Sequence, residues 1–243
     1  MSTKRIEGFR LSPQQAQLWA LSGAEGRPFC AYCLVRIDGP LEQGQFARAL
    51  YRVIDRHEIL RSVFSQVTGM EVPLQVIGKP RLSLSFSESN SGANTNNGGI
   101  PAAGFALVGQ RALDLKQGPM LQAVLVRENN LRHALMLCLY AGCADATSLK
   151  NLLRDLCRCY AAAASEDLPD VSLQYVDFAQ WHNELLESAG SEEGRRYWEG
   201  RFHPDAILAS IGHPHKAQEE KFLPDILREA VPRELREALN LLE

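Results

Sequence analysis

The sequence predicts an α/β protein, built as an α+β two-layer sandwich. Short apolar segments with the pattern of buried strands alternate along the chain with amphipathic helical segments, and no segment repeats another. Such alternation is typical of helices layered on a sheet. The 243 residues, 45% of them hydrophobic, are enough to bury a sizeable core. We therefore expect the chain to fold as one or two globular units.

The first elements are a helix, a strand and a second helix. Ser12 can cap the free amides of a helix that begins at Pro13, and this helix should run to about Leu21. The segment Cys30–Ile37 predicts a strand that the following Asp-Gly-Pro turn closes. Glu42–His57 then predicts a long amphipathic helix. Its buried face should consist of Phe46, Ala49, Leu50, Val53 and Ile54.

Strand patterns dominate the middle of the chain. Val72–Ile77 and Leu82–Phe86 predict two short strands, whereas the polar, Gly- and Asn-rich residues Ser87–Gly99 predict a mobile loop. Leu121–Arg127 and Leu131–Tyr140 predict two longer strands. Because only a short Glu-Asn-Asn sequence separates them, we expect a hairpin with a tight turn.

The stretch from residue 134 to residue 164 is the centre of the prediction. A buried strand ends at Tyr140, and the turn of small residues that follows carries a single carboxylate, Asp145. A helix should then begin at Thr147 or Ser148. Its apolar side chains recur at three- and four-residue spacing, so one face can pack back on the strand. These side chains are Leu149, Leu152, Leu153, Leu156 and Tyr160.

Two further helices and an irregular arm complete the prediction. The first helix begins near Tyr175 and reaches about Ser188, and Ser191 can cap the second. From residue 204 the pattern fades into a linker, and Pro232–Glu243 begin an amphipathic helix whose apolar face has no later partner. We therefore expect a fragment in which residues 1–203 form one lobe. Residues 204–243 would be a linker, or arm, and the start of a truncated second-lobe or inter-domain helix.

Charge and composition exclude several classes of function. A net charge of -3 offers no basic field for a phosphate backbone, so nucleic acid is not an expected partner. The sequence has no run of about 18 apolar residues and no signal-peptide core, so we expect a cytoplasmic protein without a membrane segment. Six cysteines without an export signal then indicate reduced thiols.

The cysteines also raise the question of metal binding and nucleophilic chemistry. Cys30 and Cys33 have the spacing of half a zinc site, but they lie in a strand pattern, and Cys157 and Cys159 lie in a helix pattern. We therefore expect no bound metal. Cys143, in the turn of small residues, could act as a nucleophile. Because no histidine lies near it in sequence to activate it, we favour a small side chain that fills space.

Four motifs occur in order along the chain: SPQQAQLWAL (12–21), RHEILRSVF (56–64), LDLKQGPMLQA (113–123) and YVDFAQW (175–181). Together they resemble the condensation domains of nonribosomal peptide synthetases, and RRYWEGRF resembles the segment that follows in that family. The resemblance covers nearly the whole chain but only about the first half of a complete condensation domain. It implies a chloramphenicol-acetyltransferase-like fold, of which this chain would be the N-terminal lobe.

In the family that the chain resembles, two lobes form a V around a tunnel that receives the phosphopantetheine arms of two carrier proteins. The amine on one arm attacks the thioester on the other. The turn after a core strand carries the signature His-His-x-x-x-Asp-Gly. Tyr140 and Ala141 stand here in place of the two histidines, and Ala146 stands where glycine is expected. The whole turn reads Tyr140, Ala141, Gly142, Cys143, Ala144, Asp145 and Ala146.

The resemblance assigns roles to two positions of this signature. The second histidine is the family's proposed base or positioning group, because the pKa of an imidazole lies near working pH, and Ala141 cannot replace it. Loss of a general base costs a factor of roughly 10² to 10⁴, so this change alone need not abolish the chemistry. The signature aspartate is structural and pairs with an arginine. For Asp145 we expect Arg61 as the partner.

The resemblance leaves three functions open. The preferred one is a non-catalytic domain of a nonribosomal peptide synthetase, or of a hybrid with a polyketide synthase. It would act as a scaffold or docking surface for an adjacent adenylation domain, a carrier protein or a tailoring enzyme. The alternative is a truncated condensation acyltransferase that forms an amide between two carrier-bound thioester substrates without the usual histidine. The third is a remnant that only keeps a neighbouring domain soluble. The chain itself should bind no cofactor apart from the phosphopantetheine arms of partner carriers.

Overall fold

A four-stranded mixed sheet forms the centre of the fold. The computed structural model describes residues 7–22, 28–88, 95–96, 100–101, 113–162, 171 and 173–201. The strands are β1 (Cys30–Asp38), β2 (Ser62–Ser65), β3 (Leu74–Ile77), β4 (Ser83–Glu88), β5 (Thr95–Asn96), β6 (Ile100–Pro101), β7 (Leu121–Asn129) and β8 (Arg132–Tyr140). The helices are α1 (Pro13–Ser22), α2 (Gln43–Arg56), α3 (Ala146–Ala161), α4 (Tyr175–Glu187) and α5 (Glu192–Glu199), with 3-10 turns at Glu58–Arg61 and Ala189–Ser191.

The strand order in the central sheet is β1-β8-β7-β4. β8 pairs antiparallel with β1, where Tyr140 faces Cys30, and with β7, where Leu139 faces Leu121. β4 runs parallel to β7 on the far side. As a result, the end of β8 and the starts of β1, β7 and β4 all lie at one edge of the sheet. The turn that follows Tyr140 and the loops that enter β7 and β4 therefore share this edge.

The two central strands, β7 and β8, are buried on both faces, and successive side chains of each strand pack on opposite sides of the sheet. Leu121 and Leu137 are among the side chains that pack against α2 and α3. Val124, Met136 and Tyr140 point to the opposite face, where Phe64 of β2 covers them and α1 packs nearby. The sheet and its helices confirm the predicted α+β fold.

The two long helices and the central hairpin agree with the sequence prediction. All five predicted core positions of α2 are buried. In α3, Leu149, Leu152 and Leu156 are buried, and Leu153 and Tyr160 pack partly exposed against the same core. β7 and β8 form the predicted hairpin.

Several boundaries differ from the prediction for identifiable reasons. α3 begins at Ala146 because Asp145, rather than Thr147 or Ser148, caps it. The Ser191 hydroxyl precedes α5 but donates backward to the carbonyls of Leu186 and Ser188, so it does not cap that helix.

The predicted mobile loop and the predicted arm are only partly described. β4 continues to residue 88, and β5 pairs with β6 as a two-residue antiparallel ladder. The rest of the predicted loop 87–99 lies outside the described residues, as does the predicted arm and helix 204–243. The boundary between residues 203 and 204 stays a prediction.

Candidate functional site

Backbone hydrogen bonds join the turn after β8, the signature turn of residues 140–146, to the residues that precede β1 and β7. The amide of Ala141 donates to the carbonyl of Phe29 at 2.8 Å, just before β1. The amide of Tyr140 donates to the carbonyl of Met120 at 3.2 Å, just before β7. Within the turn, the amide of Cys143 donates to the carbonyl of Tyr140 at 2.8 Å. These bonds hold the signature turn at the centre of the sheet edge.

Tyr140, which the resemblance places at the first signature histidine, is a core side chain. Its ring is fully buried and meets Phe64 edge-on, with 5.3 Å between ring centroids. Its phenolic oxygen has no hydrogen-bond partner within the described part of the chain. Burial raises the pKa of the phenol above its ordinary value, because the charged form would lose its hydration. The side chain is therefore neutral at physiological pH.

Ala141 and Gly142 contribute no ionisable group to the turn. Ala141, which the resemblance places at the second histidine, is partly exposed and offers only a methyl group. Gly142 is required by close approach, because an added Cβ would lie 2.4 Å from Cε1 of Tyr140. The buried phenol ring thus fixes the residue two positions later as glycine.

Cys143 lies beside a small cavity of about 190 Å³. Burial raises the pKa of its thiol, so the reactive thiolate is disfavoured. His57 and Tyr175 line the same cavity, which the sequence did not indicate because they belong to distant motifs. However, Nε2 of His57 lies 2.8 Å from Oδ2 of Asp155, so this nitrogen is already engaged by a carboxylate. The remaining lining residues are Ile59, Leu60, Ala144, Ser148, Asn151 and Leu152.

Asp145 caps α3 and does not contact Arg61. Its Oδ1 accepts from the hydroxyl and from the amide of Ser148, both at 2.7 Å. The hydrogen bond from the Ser148 hydroxyl, followed by the one from the Ser148 amide, is the main cause that lowers the pKa of the exposed Asp145 carboxyl. The expected partner, Arg61, instead donates to the carbonyls of Gly78 at 2.9 Å and Asp55 at 3.2 Å, and pairs with Glu58. The pairing expected from the resemblance is replaced by local partners, because the cap turns the carboxylate toward the first turn of the helix.

A buried network of amide side chains, which the sequence analysis missed, supports the turn. Nε2 of Gln15 donates to the carbonyl of Gly142 at 3.0 Å and to Oε1 of Gln75 at 3.1 Å. Gln75 donates in turn to the hydroxyl of Ser62 at 3.1 Å. Both glutamines are almost completely buried, so each of these bonds satisfies a group that water cannot reach.

The signal for this network was present in the first motif. Ser12 and Gln15 form a capping box, in which the amide of Ser12 donates to Oε1 of Gln15 and the amide of Gln15 donates to the Ser12 hydroxyl. The same hydroxyl lies 2.8 Å from the hydroxyl of Tyr175 at the start of α4. The motifs at 12–21 and 175–181 thus meet around the signature turn.

The turn contains no group that titrates near neutral pH. Burial raises the pKa of Tyr140 and of Cys143, and hydrogen bonds from Ser148 lower the pKa of Asp145. In the described ranges, no three His, Cys, Asp or Glu side chains converge as the ligands of a metal would. None of the helices that the structure describes is long and apolar enough to span a membrane.

The comparisons with known proteins point to one family. A model of the condensation domain matches residues 7–242. The chain is 29% identical over 217 residues to chondramide synthase cmdD of Chondromyces crocatus, covering 86% of this chain and 6% of that protein. It is 26% identical over 240 residues to tyrocidine synthase 3 of Brevibacillus parabrevis, covering 96% of this chain and 4% of that protein. The chain thus spans a small fraction of the length of these relatives.

Solved structures share the fold over about half of their length. The X-domain from teicoplanin biosynthesis matches with a TM-score of 0.63 and 25% identity, over 79% of this chain and 41% of that one. The first condensation domain of the calcium-dependent antibiotic synthetase matches with a TM-score of 0.68 and 19% identity, over 81% of this chain and 49% of that one. With the family model spanning almost every residue, this chain belongs to the condensation-domain family of nonribosomal peptide synthetases.

Proposed function

We propose that this chain is a non-catalytic condensation-type domain that acts as a scaffold or docking surface in a nonribosomal peptide synthetase or a hybrid with a polyketide synthase. The observation that carries the proposal is the chemistry of the signature turn. A buried phenol and a methyl group occupy the two positions that the resemblance assigns to imidazoles. Its partners would be the adjacent adenylation domain, a carrier protein or a tailoring enzyme of the same assembly line. The chain itself would bind no cofactor.

General acid-base chemistry at this turn lacks a suitable group. A base works best when its pKa lies near the operating pH, and such a group contributes a factor of about 10² to 10⁴ in rate. Tyr140 and Cys143 hold their protons at neutral pH, and Asp145 has already lost its own. The turn therefore keeps the fold of the family while it offers no proton acceptor of the usual strength.

An exposed aromatic stripe on α4 supports a docking role. Phe178, Trp181 and Leu185 are 37%, 56% and 48% exposed and lie on one face of the helix. The opposite face, with Val176 and Ala179, packs into the fold. Large apolar side chains that form a continuous exposed patch are typical of protein interaction sites. We therefore assign the Phe178–Trp181–Leu185 stripe as the contact surface for a protein partner.

The base of α4 is held firmly, as a docking surface requires. Gln174, which precedes the helix, accepts from the amide of Glu58 at 3.1 Å and donates to the carbonyl of Arg56 at 3.1 Å. The stripe is therefore attached to the same segment that lines the turn cavity. A related precedent exists in the fold, since one similar structure is a complex of the X-domain and OxyB from teicoplanin biosynthesis.

The proposal is tested by binding to purified neighbours from the native synthetase. Wild-type protein should bind at least one adenylation domain, loaded carrier or tailoring enzyme. The double substitution Phe178→Ser with Trp181→Ser should weaken that Kd by about tenfold or more, because buried aromatic anchors dominate interface energies. Tyr51→Ser is the matched control, since Tyr51 is similarly exposed but lies on α2. Wild-type protein that binds none of these neighbours, or a stripe variant that binds as tightly as wild type, would contradict the proposal.

The second candidate is a truncated condensation acyltransferase that joins two carrier-bound thioester substrates without the usual histidine. The cavity shared by His57, Cys143 and Tyr175 favours it, because substrate positioning alone can supply a large part of a rate enhancement. Amide formation by the wild-type chain in its native synthetase would establish this candidate. The phosphopantetheine arms of the two carriers would then be the groups that enter the site.

A further inference from the structure

Two cysteines lie on the same face of the sheet where β1 pairs with β8. Cys30 is opposite Tyr140 and Cys138 is opposite Tyr32, so the two thiols are diagonal neighbours on adjacent strands. Both pack on the face that carries Tyr140, because side chains two positions apart on a strand point to the same side. Cys138 is buried, whereas Cys30 is partly exposed at the start of its strand. The pair thus combines one accessible thiol with one protected thiol.

The two thiols and a phenol form a hydrogen-bonded cluster. The thiol of Cys138 donates to the sulfur of Cys30, and the hydroxyl of Tyr32 donates to both sulfurs. The Cys30 thiol itself donates to the carbonyl of Pro28, with 3.4 Å between sulfur and oxygen. Tyr32 is about half-exposed, so the cluster extends to the surface of the sheet. Donors from two strands therefore converge on the sulfur of Cys30.

These donors favour the thiolate form of Cys30. The hydrogen bond from Cys138 lowers the pKa of the Cys30 thiol most, burial opposes this effect, and the hydrogen bond from Tyr32 lowers the pKa further. The pKa of the Cys138 thiol is raised, first by its hydrogen bond to Cys30 and then by burial. The thiolate is the nucleophilic form of cysteine. Reactivity should therefore concentrate on Cys30, with Cys138 held beside it as a thiol.

The spacing of the pair allows a covalent bond after a small movement. Diagonal cross-strand positions lie about 7–8 Å apart between their Cα atoms, and somewhat less between their Cβ atoms. Disulfides span Cα separations of up to about 6.8 Å. The two strands must therefore approach each other by about 1 Å at this point. Because Cys30 is the first residue of β1, such a shift disturbs only the end of the ladder.

We propose that Cys30 and Cys138 form a peroxide-sensitive dithiol, in which Cys30 is the attacking thiol and Cys138 the resolving thiol. The Cys30 sulfur attacks one oxygen of the peroxide and the O–O bond breaks, which gives a sulfenic acid and, with the proton from the Cys30 thiol, one molecule of water. The Cys138 sulfur then attacks the Cys30 sulfur, so that an S–S bond replaces the S–O bond. The departing hydroxide takes the proton of Cys138 and leaves as a second water. The two sulfurs together lose the two electrons that reduce the peroxide.

The resulting disulfide would join the start of β1 to the end of β8 beside the signature turn. In the reduced chain, the amide of Ala141 already donates to the carbonyl of Phe29, the residue before Cys30. A partly exposed, reactive thiol next to a resolving cysteine is the arrangement typical of redox-sensing sites. The inference depends neither on a catalytic role of the turn nor on the proposed docking function.

Treatment of the fully reduced chain with stoichiometric hydrogen peroxide tests the proposal by intact-protein mass spectrometry. The chain should lose two hydrogens, peptide mapping should join Cys30 to Cys138, and dithiothreitol should restore the starting mass. A gain of oxygen that dithiothreitol does not remove would overturn the proposal. So would oxidation of the exposed Cys157 while Cys30 stays reduced.

Substitutions assign the two roles. Cys30→Ser should abolish the disulfide, and Cys138→Ser should leave Cys30 as a sulfenic acid that dimedone labels. Cys33→Ser is the matched control, because Cys33 lies on the same strand but packs on the opposite face of the sheet. This control should form the disulfide at the wild-type rate. A disulfide that persists in Cys30→Ser, or a Cys138→Ser variant whose Cys30 resists dimedone after peroxide, would overturn the proposal.

Tyr32→Phe tests the cluster with little risk to folding, because it removes only the hydroxyl from a half-exposed side chain. The apparent pKa of Cys30, measured from the pH dependence of its alkylation by iodoacetamide, should rise. Its oxidation at neutral pH should slow by about threefold or more, since less thiolate is present. An unchanged apparent pKa together with an unchanged oxidation rate would contradict the activation of Cys30 by this cluster.

Discussion

The substitution Gly142→Ala tests most sharply how the signature turn is built. The new Cβ would lie 2.4 Å from Cε1 and 3.0 Å from Cζ of Tyr140. The phenol ring cannot move aside easily, because it is fully buried and rests edge-on against Phe64. The turn is also fixed from the other side, where the carbonyl of Gly142 accepts from Gln15. The added methyl group must therefore displace core side chains or the turn itself.

The expected cost follows from this overpacking. Forcing one extra methyl group into a filled core costs about 1–3 kcal/mol. For a chain of this length, each kcal/mol lowers the Tm by about 2–4 °C, so Gly142→Ala should lower it by roughly 2–12 °C. The pair is coupled through the ring, so in a Tyr140→Leu background the same substitution should cost much less.

Thermal unfolding followed by circular dichroism measures the effect. Gly194→Ala is the matched control, because Gly194 lies in the exposed helix α5 and an added Cβ meets nothing within 4 Å. Alanine at such a helix position should be neutral or stabilise by up to about 1 kcal/mol. If Gly142→Ala melts at or above the wild-type temperature, or costs as much in the Tyr140→Leu background, the close approach of ring and turn is not what fixes this glycine.

Three further predictions concern the side chains around the turn. Asp145→Ala should lower the free energy of unfolding by about 1 kcal/mol through loss of the helix cap, whereas Asp145→Asn should be nearly neutral at pH 7. Because hydrogen bonds lower the folded pKa of Asp145, its stabilising contribution should be complete above the ordinary carboxyl pKa and fade as pH falls through the lowered value. Chemical denaturation between acidic and neutral pH checks this, and equal stability of the Ala variant at pH 7 would contradict it. In the same assay, Gln15→Ala should lower the free energy of unfolding by about 2–4 kcal/mol, because it leaves several buried groups unpaired. The control Gln14→Ala, on the exposed side of α1, should lower it by less than about 0.5 kcal/mol. Iodoacetamide near pH 8 should alkylate the exposed Cys157 well before Cys143, because burial raises the pKa of the Cys143 thiol. Mass spectrometry maps the modified residues, and faster alkylation of Cys143 would show that this thiol is activated.

Much of the fold could be predicted from the spacing of apolar residues, because this spacing follows directly from which side chains are buried. The five core positions of α2 follow from one face meeting the core, and the nearly continuous apolar runs of β7 and β8 follow from burial of both of their faces. The predicted start of α3 was one or two residues too late. Asp145, Thr147 and Ser148 are all residue types that cap helices well, and the sequence does not show which of them has the extended backbone of the cap residue. The rest of the architecture was predicted from the resemblance to condensation domains.

The site was less predictable because its contacts join distant segments. The altered signature stays a prediction from the resemblance. The expected pairing of Asp145 with Arg61 is not formed, and the partners of both are only a few residues away or on a neighbouring loop. The Gln15–Gln75 contact links α1 to β3, and no periodic pattern reveals a pair of buried amides. The capping box of Ser12 and Gln15 was visible in sequence, but its second role beneath the turn depends on tertiary structure.

Amide formation by the chain in its native synthetase tests the central claim most directly. Donor and acceptor carriers are loaded, and wild type is compared with Ala141→His by intact-protein mass spectrometry. The binding of a neighbouring protein is measured on the same samples. We predict that wild type forms no amide while it still binds a neighbour. Amide formation by wild type, without the Ala141→His substitution, would contradict the claim that this turn has no catalytic role.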